Sequence, residues 1–246
     1  MERKHALIFA VIITILIAAN FLAFKSQFSL AREQVVVSRV IDGDTFQLED
    51  GRIIRLSNIN TPEKNTINYE LAISYLNQFL NKSIELEIMG TERYGRVLGR
   101  VYSPDYINLE LVRQGFASKF LVEESELRDF AKAEAEAIKN GKGIWEKSEF
   151  SDCFESDIDK ENEKVAIANN CQSLEISGFL LKDESTKYYK FKELQIKEVM
   201  LHTVAGKDNA TDIFWGAKTN VWNNDRDTLY IFDKEGKLAH YEIYGY

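Results

Sequence analysis

Positive charge is scarce in this chain. It has 31 lysines and arginines against 39 aspartates and glutamates, a formal net charge of −8 over 246 residues. Coating a long polyanion at physiological salt takes a basic surface that displaces counterions from phosphates, so tight, sequence-blind binding of a duplex is not expected. A site that engages one or a few phosphates fits the balance better. Cysteine is scarcer still, with only Cys153 and Cys171. Two cysteines with no histidine beside them do not make a zinc site; in an oxidising compartment such a pair is most simply a disulfide. The three histidines, His5, His202 and His240, are scattered, none at metal-ligand spacing to another candidate. No internal repeat or low-complexity tract is present. Hydrophobic residues make up 45% of the chain, which argues for a globular protein over a disordered one.

The N-terminus carries one long apolar run, from Ala6 to Phe24, broken only by Thr14 and Asn20 and preceded by Arg3 and Lys4. At ~1.5 Å per residue a helix of this length nearly spans a ~30 Å hydrocarbon core. The run is longer than a usual signal core, and Ser29-Leu30-Ala31 is a poor cleavage site. An anchor is therefore expected over 6–24, with a cytoplasmic tip at 1–5 and a polar tether at 25–34. The leading positive charges put everything after Lys25 outside the cell. This predicts a single-pass cell-membrane protein with extracytoplasmic domains, or a secreted one if the run is cleaved.

Beyond the tether, Val35 to Leu48 is β-branched and apolar and reads as a strand, and Asp50-Gly51 is a hairpin turn leading to a return strand from Arg52 to Leu56. Helical spacing appears over Tyr69 to Leu80 and again over Ser125 to Lys139, where Asn140-Gly141 stops it. Ile84 to Ile88 and Val97 to Tyr102 read as strands, and Asn108 as the cap of a short helix ended by Gly115. The pattern predicts a small barrel with helices on one side over 35–148. The segment 149–170 is polar and without period and reads as a linker. From Cys171 to Tyr246 short strands separated by turns predict a β-sandwich.

One constellation carries chemistry. Asp42-Gly43-Asp44-Thr45 is followed by Arg55, by Thr61-Pro62-Glu63 and by Tyr94-Gly95-Arg96. Asp42 and Asp44 share the strand parity of the core-facing Phe46 and Leu48, so both carboxylates point inward, where like charges need a cation or an arginine. Carboxylates hold a hard cation, the cation polarises a phosphoryl oxygen, guanidinium forks take up growing phosphate charge, and a glutamate accepts a proton from water. Together these residue types suit metal-assisted attack on a phosphodiester.

These residues, with Val40-Ile41, Leu56, Arg93, Asn108 to Gly115 and Gly143-Ile144-Trp145, resemble the staphylococcal nuclease family from about Val35 to Trp145. The resemblance implies a five-stranded OB-type barrel with three helices, and calcium-dependent hydrolysis of single-stranded or locally opened DNA and RNA that leaves 3′-phosphates. It implies metal contacts from Asp44, Thr61 and, in a nearer supporting role, Asp42. Arg55 and Arg96 would clamp the phosphate, Glu63 would act as general base, and Tyr94 would lie near the phosphate or base. Two positions depart from the family pattern. Asn60 stands where a second metal-binding aspartate is usual, which brings an oxygen but no charge and implies weaker calcium binding. Leu121 replaces a tyrosine near the nucleotide base.

In the C-terminal part, Gly178 to Glu184, Phe214-Trp215-Gly216 and Val221 to Thr228 resemble the lamin-tail domain, an Ig-like sandwich, with Arg226 where a glycine is usual. Nothing in the sequence identifies a ligand for that part. The sequence thus predicts a β-rich α+β chain, with a membrane-tethered calcium nuclease as its function. The alternative is a catalytically weakened nuclease-like module that binds nucleic acid or protein.

Overall fold

The computed structural model describes residues 13–14, 32–92, 95–171, 174–192 and 197–246. Five strands close into a barrel in the order β1-β2-β3-β6-β5. They are β1 (Glu33–Asp42), β2 (Thr45–Leu48), β3 (Ile53–Leu56), β5 (Ser83–Thr91) and β6 (Val97–Tyr102), while β4 (Ile59–Asn60) pairs separately with β7 (Ser118–Lys119). All barrel neighbours are antiparallel except β3 and β6. Val35, Val37, Phe46, Leu48, Ile54, Leu56, Ile84, Leu86 and Val101 turn inward with the strand period and fill the barrel. The barrel closes tightly at Gly99, where a Cβ would lie 2.6 Å from Leu86 Cδ1.

Three helices flank the barrel: α1 (Tyr69–Asn77), α2 (Ile107–Arg113) and α3 (Leu127–Lys139). Ala72 and Leu76 of α1, Leu111 and Val112 of α2, and Phe130 and Ala133 of α3 join the barrel core. Asn108 is not the cap of α2, which Tyr106 occupies. Its buried amide instead accepts from Val101 N–H and donates to the Ser57 and Gly99 carbonyls, pinning α2 to two strands.

The segment expected as a linker is a hairpin. Strands β8 (Phe154–Asp159) and β9 (Lys164–Asn169) pair antiparallel, and Cys153 and Cys171 are joined in a disulfide across its base. Further strands are β10 (Leu180–Lys182), β11 (Tyr188–Lys190), β12 (Glu198–His202), β13 (Asp212–Phe214), β14 (Asp227–Phe232) and β15 (Leu238–Tyr244). They form two four-stranded sheets, β11-β10-β14-β15 and β13-β12-β9-β8. Val165, Ile167 and Leu201 from one sheet and Leu181, Leu229 and Ile231 from the other share a single core. The sandwich therefore takes in the hairpin and begins near Phe154.

Barrel and sandwich are joined by a third apolar cluster of Ala137, Ile138, Ile144, Trp145, Tyr230 and Leu238. Trp145 stacks on Tyr230 with ring centroids 5.0 Å apart. Beside it lies a buried polar knot. Lys119 Nζ reaches Glu134 and Glu184 at 2.7 Å each and donates to Thr228 Oγ1 at 2.7 Å. The Tyr230 and Tyr246 hydroxyls donate to Glu134 and Glu184. Burial alone would pull the Lys119 ammonium down, but the two glutamates outweigh it and hold it above the usual lysine value. Arg226 also crosses the boundary, to Glu124 and to the Val122 carbonyl.

Among the described residues no helix is long and apolar enough to cross a membrane. A span needs about 20 residues of continuous apolar helix. The transmembrane helix expected over 6–24 is therefore not carried forward; apart from Ile13 and Thr14, both helical, that run lies outside the described residues. The membrane tether, the single-pass topology and the extracytoplasmic placement are withdrawn with it.

Candidate active site

The mouth of the barrel is built by the turn from β1 into β2. Asp42 ends β1 and Asp44 precedes β2, with the Asp44 N–H donating to Asp42 Oδ1 at 3.1 Å. The two carboxylates are brought together by a turn and not by strand parity as the sequence predicts. Gly43 allows the chain to pass tightly under Thr61, since a Cβ there would lie 2.6 Å from Thr61 Oγ1 and 2.9 Å from the Ala72 Cβ.

Asp44 is the centre of the arrangement. Its Oδ2 accepts from Thr61 N–H at 3.3 Å and Thr61 Oγ1 at 3.2 Å, and pairs with Arg55 Nη2 at 3.1 Å. Its Oδ1 accepts from Thr45 Oγ1 at 3.0 Å. Burial pushes the Asp44 carboxyl up to about 6; Arg55 opposes the shift and Asp42 adds to it. Two acids facing one arginine leave this corner short of positive charge.

Arg55 projects from β3, buried like Asp44. Its Nη1 donates to the Leu56 carbonyl, and its Nη2 donates to the Ile59 carbonyl at 2.9 Å and to Asn60 Oδ1 at 2.7 Å. Asn60 thus offers its oxygen to the arginine. Its Nδ2 donates to the backbone carbonyl of Glu184, in the sandwich, at 2.9 Å.

The structure thus gathers Asp42, Asp44, Arg55, Asn60 and Thr61. Glu63 and Arg96 stand apart, and among the described contacts none joins either to that group. Glu63 is exposed on the loop after β4, its carbonyl accepting from Thr66 N–H at 3.0 Å. Arg96 pairs with Glu92 at 2.6 Å across the turn between β5 and β6. Tyr94 lies outside the described residues. Leu121 is 71% exposed and sits at φ 47°, a left-handed conformation that a leucine adopts only at a cost. Among the described residues no group of three or more His, Cys, Asp or Glu side chains is placed to hold a metal. Of the ligand set that the resemblance implies, two carboxylates converge, and the Asn60 amide is engaged by Arg55 and the Glu184 carbonyl.

Two residues at this corner were not anticipated. Glu184 supplies the carbonyl that holds Asn60. Lys182, half-buried on β10, has its ammonium held below the usual lysine range by burial, against Asp183, Glu134, Glu184 and Glu63 around it. Both close the Gly178 to Glu184 motif, so the motif was visible but its neighbour was not.

A family model described as "Staphylococcal nuclease homologue" matches residues 53–147. The thermonuclease of Staphylococcus intermedius is 33% identical over 138 residues, half of this chain and 82% of its own length. This chain belongs to the staphylococcal nuclease family. Endonuclease YhcR of Bacillus subtilis is 32% identical over 139 residues, 46% of this chain but only 11% of that protein. An "uncharacterized endonuclease" of Escherichia coli is 38% identical over 87 residues, 33% of this chain and 57% of its own length. The chain thus spans from a tenth to somewhat over half of these two relatives. The family model ends where the apolar Trp145 cluster hands over to the sandwich.

Proposed function

We propose that this chain is a nuclease that hydrolyses phosphodiester bonds at the Asp44–Arg55 corner of the barrel. The observation that carries the reading is the buried Asp44–Arg55 pair, backed by Asp42, Asn60 and Thr61, in a member of a nuclease family. In this reading Arg55 turns its fork to a bound phosphate, and Arg96 leaves Glu92 to take up the rest of the developing charge. Glu63, exposed on the loop after β4, swings in to accept the proton of the attacking water. The donors suit a hard divalent cation, because Asp42 and Asp44 set two carboxylates against one arginine. Such a cation, with calcium the first to test, would rest on Asp42, Asp44 and the Thr61 segment and would polarise a phosphoryl oxygen. The two-sheet architecture and the Gly178 to Glu184 motif support a lamin-tail-like identity for the sandwich.

The test is cleavage of labelled DNA and RNA strands in calcium, in magnesium and in chelator, by the wild type and by Arg55→Ala, Glu63→Gln and Arg96→Ala. Each substitution should lower the rate roughly 100-fold or more, as loss of charge stabilisation or of proton transfer does. Wild-type rates in all three would overturn the assignment. The weakened-module reading draws on the engagement of Asn60 by Arg55 and Glu184. It requires strand binding without cleavage in either cation.

A further inference from the structure

We propose that a pocket on the open side of the sandwich is a second contact for the strand cleaved at the barrel. A base would lie against Tyr188 and Trp215, with a phosphate between Lys187 and Lys218. The proposal rests on the nuclease reading and names where the rest of the substrate goes. The pocket is a shallow recess of about 490 Å³, walled by 186–188 on one side and 215–219 on the other. Tyr188 belongs to β11, the edge strand of one sheet, and Trp215 follows β13, the edge strand of the other. The recess therefore lies where the two sheets gape.

Three observations point to a nucleic-acid strand. The first is the pair of rings. Tyr188 is 53% exposed, while Trp215 is half-buried with its ring against Tyr189, centroids 6.2 Å apart, which fixes the indole in the pocket wall. Fixed aromatic faces at a surface suit base stacking.

The second is charge. Lys187 and Lys218 are both exposed, and among the described residues neither has a carboxylate partner. Lys187 Nζ donates to Thr219 Oγ1 at 2.7 Å, which holds the ammonium across the mouth of the recess. Lys190 and Lys207 also lack a carboxylate partner among the described residues, but Lys187 and Lys218 line one recess beside two rings, which suits a phosphate next to a stacked base. A neutral sugar would use the rings but not the lysines.

The third is continuity with the active site. The Glu184 carbonyl receives the Asn60 amide, and Thr186, two residues on, is already in the pocket wall. Two residues span at most about 7 Å, so the wall of the recess begins within that distance of the residue that holds Asn60. A strand held at Arg55 can therefore enter the recess without a long bare stretch.

The experiment uses the full chain, a labelled single strand of about 12 nucleotides and a dinucleotide, with variants Tyr188→Ala and Lys187→Glu/Lys218→Glu. Cleavage is followed at steady state, and strand binding by fluorescence anisotropy in chelator. We expect KM and Kd for the long strand to rise on the order of tenfold in each variant, as loss of a stacking partner does. The kcat and the cleavage of the dinucleotide should not change. Lys187→Arg/Lys218→Arg should keep wild-type KM and Kd. Unchanged KM and Kd in both loss variants would overturn the proposal, as would displacement of the strand by a neutral oligosaccharide at the same pocket. If the wild type cleaves neither substrate, the nuclease reading fails by itself and the anisotropy still decides whether the pocket holds a strand.

Discussion

Both ends of the Asn60 amide are engaged, one within the barrel and one across to the sandwich. Its sequence position implies a metal ligand short of a charge. In the fold its oxygen serves Arg55 and its nitrogen serves Glu184. Asn60→Asp would restore the usual family residue but would set a carboxylate oxygen against the Glu184 carbonyl. An unmatched buried acceptor costs about 1–3 kcal/mol, more when charged. Urea unfolding of Asn60→Asp should therefore show a loss of at least that size, with no fall in the cation concentration that activity requires. A wild-type midpoint with a lower cation requirement would place Asn60 at the metal instead. Asp42, Asp44, Arg55 and Thr61 could be picked out because each belongs to a short motif whose turn or strand fixes its neighbours. Glu184 could not, because its partner lies 124 residues away and is met through a backbone carbonyl that has no sequence signature.

At the scale of elements, the barrel was legible from its period-two strands and turns, while the hairpin of β8 and β9 was not. In β9 the buried residues alternate as Val165, Ile167 and Asn169, but only alanines lie between them, and β8 contributes few large apolar side chains. Such a strand reads as polar linker. The helix α3 begins two residues after the start that its spacing predicts, and its Glu134 is buried against Lys119, a contact that the spacing does not reveal. The hairpin also carries the disulfide, which closes a loop with a sequence separation of 18 between Cys153 and Cys171. In the chain-entropy model a loop of this length is stabilised by about 3 kcal/mol. Cys153→Ser/Cys171→Ser should lose about that much in chemical unfolding, with the sandwich affected first because the bond ties its edge strand β8. Equal unfolding free energies with and without the bond would mean that the unfolded chain is not constrained by it.

The whole molecule behaves as barrel and sandwich locked together, and the lock contains buried acids. Asp227 is fully buried at the start of β14, where burial pushes its carboxyl up to about 7 against hydrogen bonds from Asn223 and Thr228. The sign follows directly. The folded chain keeps this proton to about pH 7, whereas the unfolded chain releases it near pH 4. Folding therefore binds a proton in that window, and the contribution of Asp227 to stability falls as pH rises from about 4 to 7. Thermal unfolding at pH 5.5 and pH 8 should show a higher Tm at the lower pH, and Asp227→Asn should shrink the difference. A difference that survives the substitution intact would assign the pH dependence to another group.

Lys119 is the cation on which the lock turns. It is 0% exposed, its ammonium lies 2.7 Å from both Glu134 of the barrel side and Glu184 of the sandwich, and the Tyr246 ring lies over it at 4.1 Å. Replacing a buried ionic cluster with matched apolar groups can be neutral, but removing one partner strands the others. Lys119→Ala would leave two glutamates facing each other in a dry interface, and should cost about 3–5 kcal/mol. The damage should be local before it is global, since the barrel core and the sandwich core are separate clusters. Limited proteolysis should cut Lys119→Ala between Trp145 and Phe154 at protease levels that leave the wild type whole. Activity should fall with it, because Glu184 would no longer hold the Asn60 amide in place. If the variant resists protease as the wild type does and keeps its activity, the apolar Trp145–Tyr230 contact alone joins the two parts, and the polar knot is a tolerated burden and not the lock.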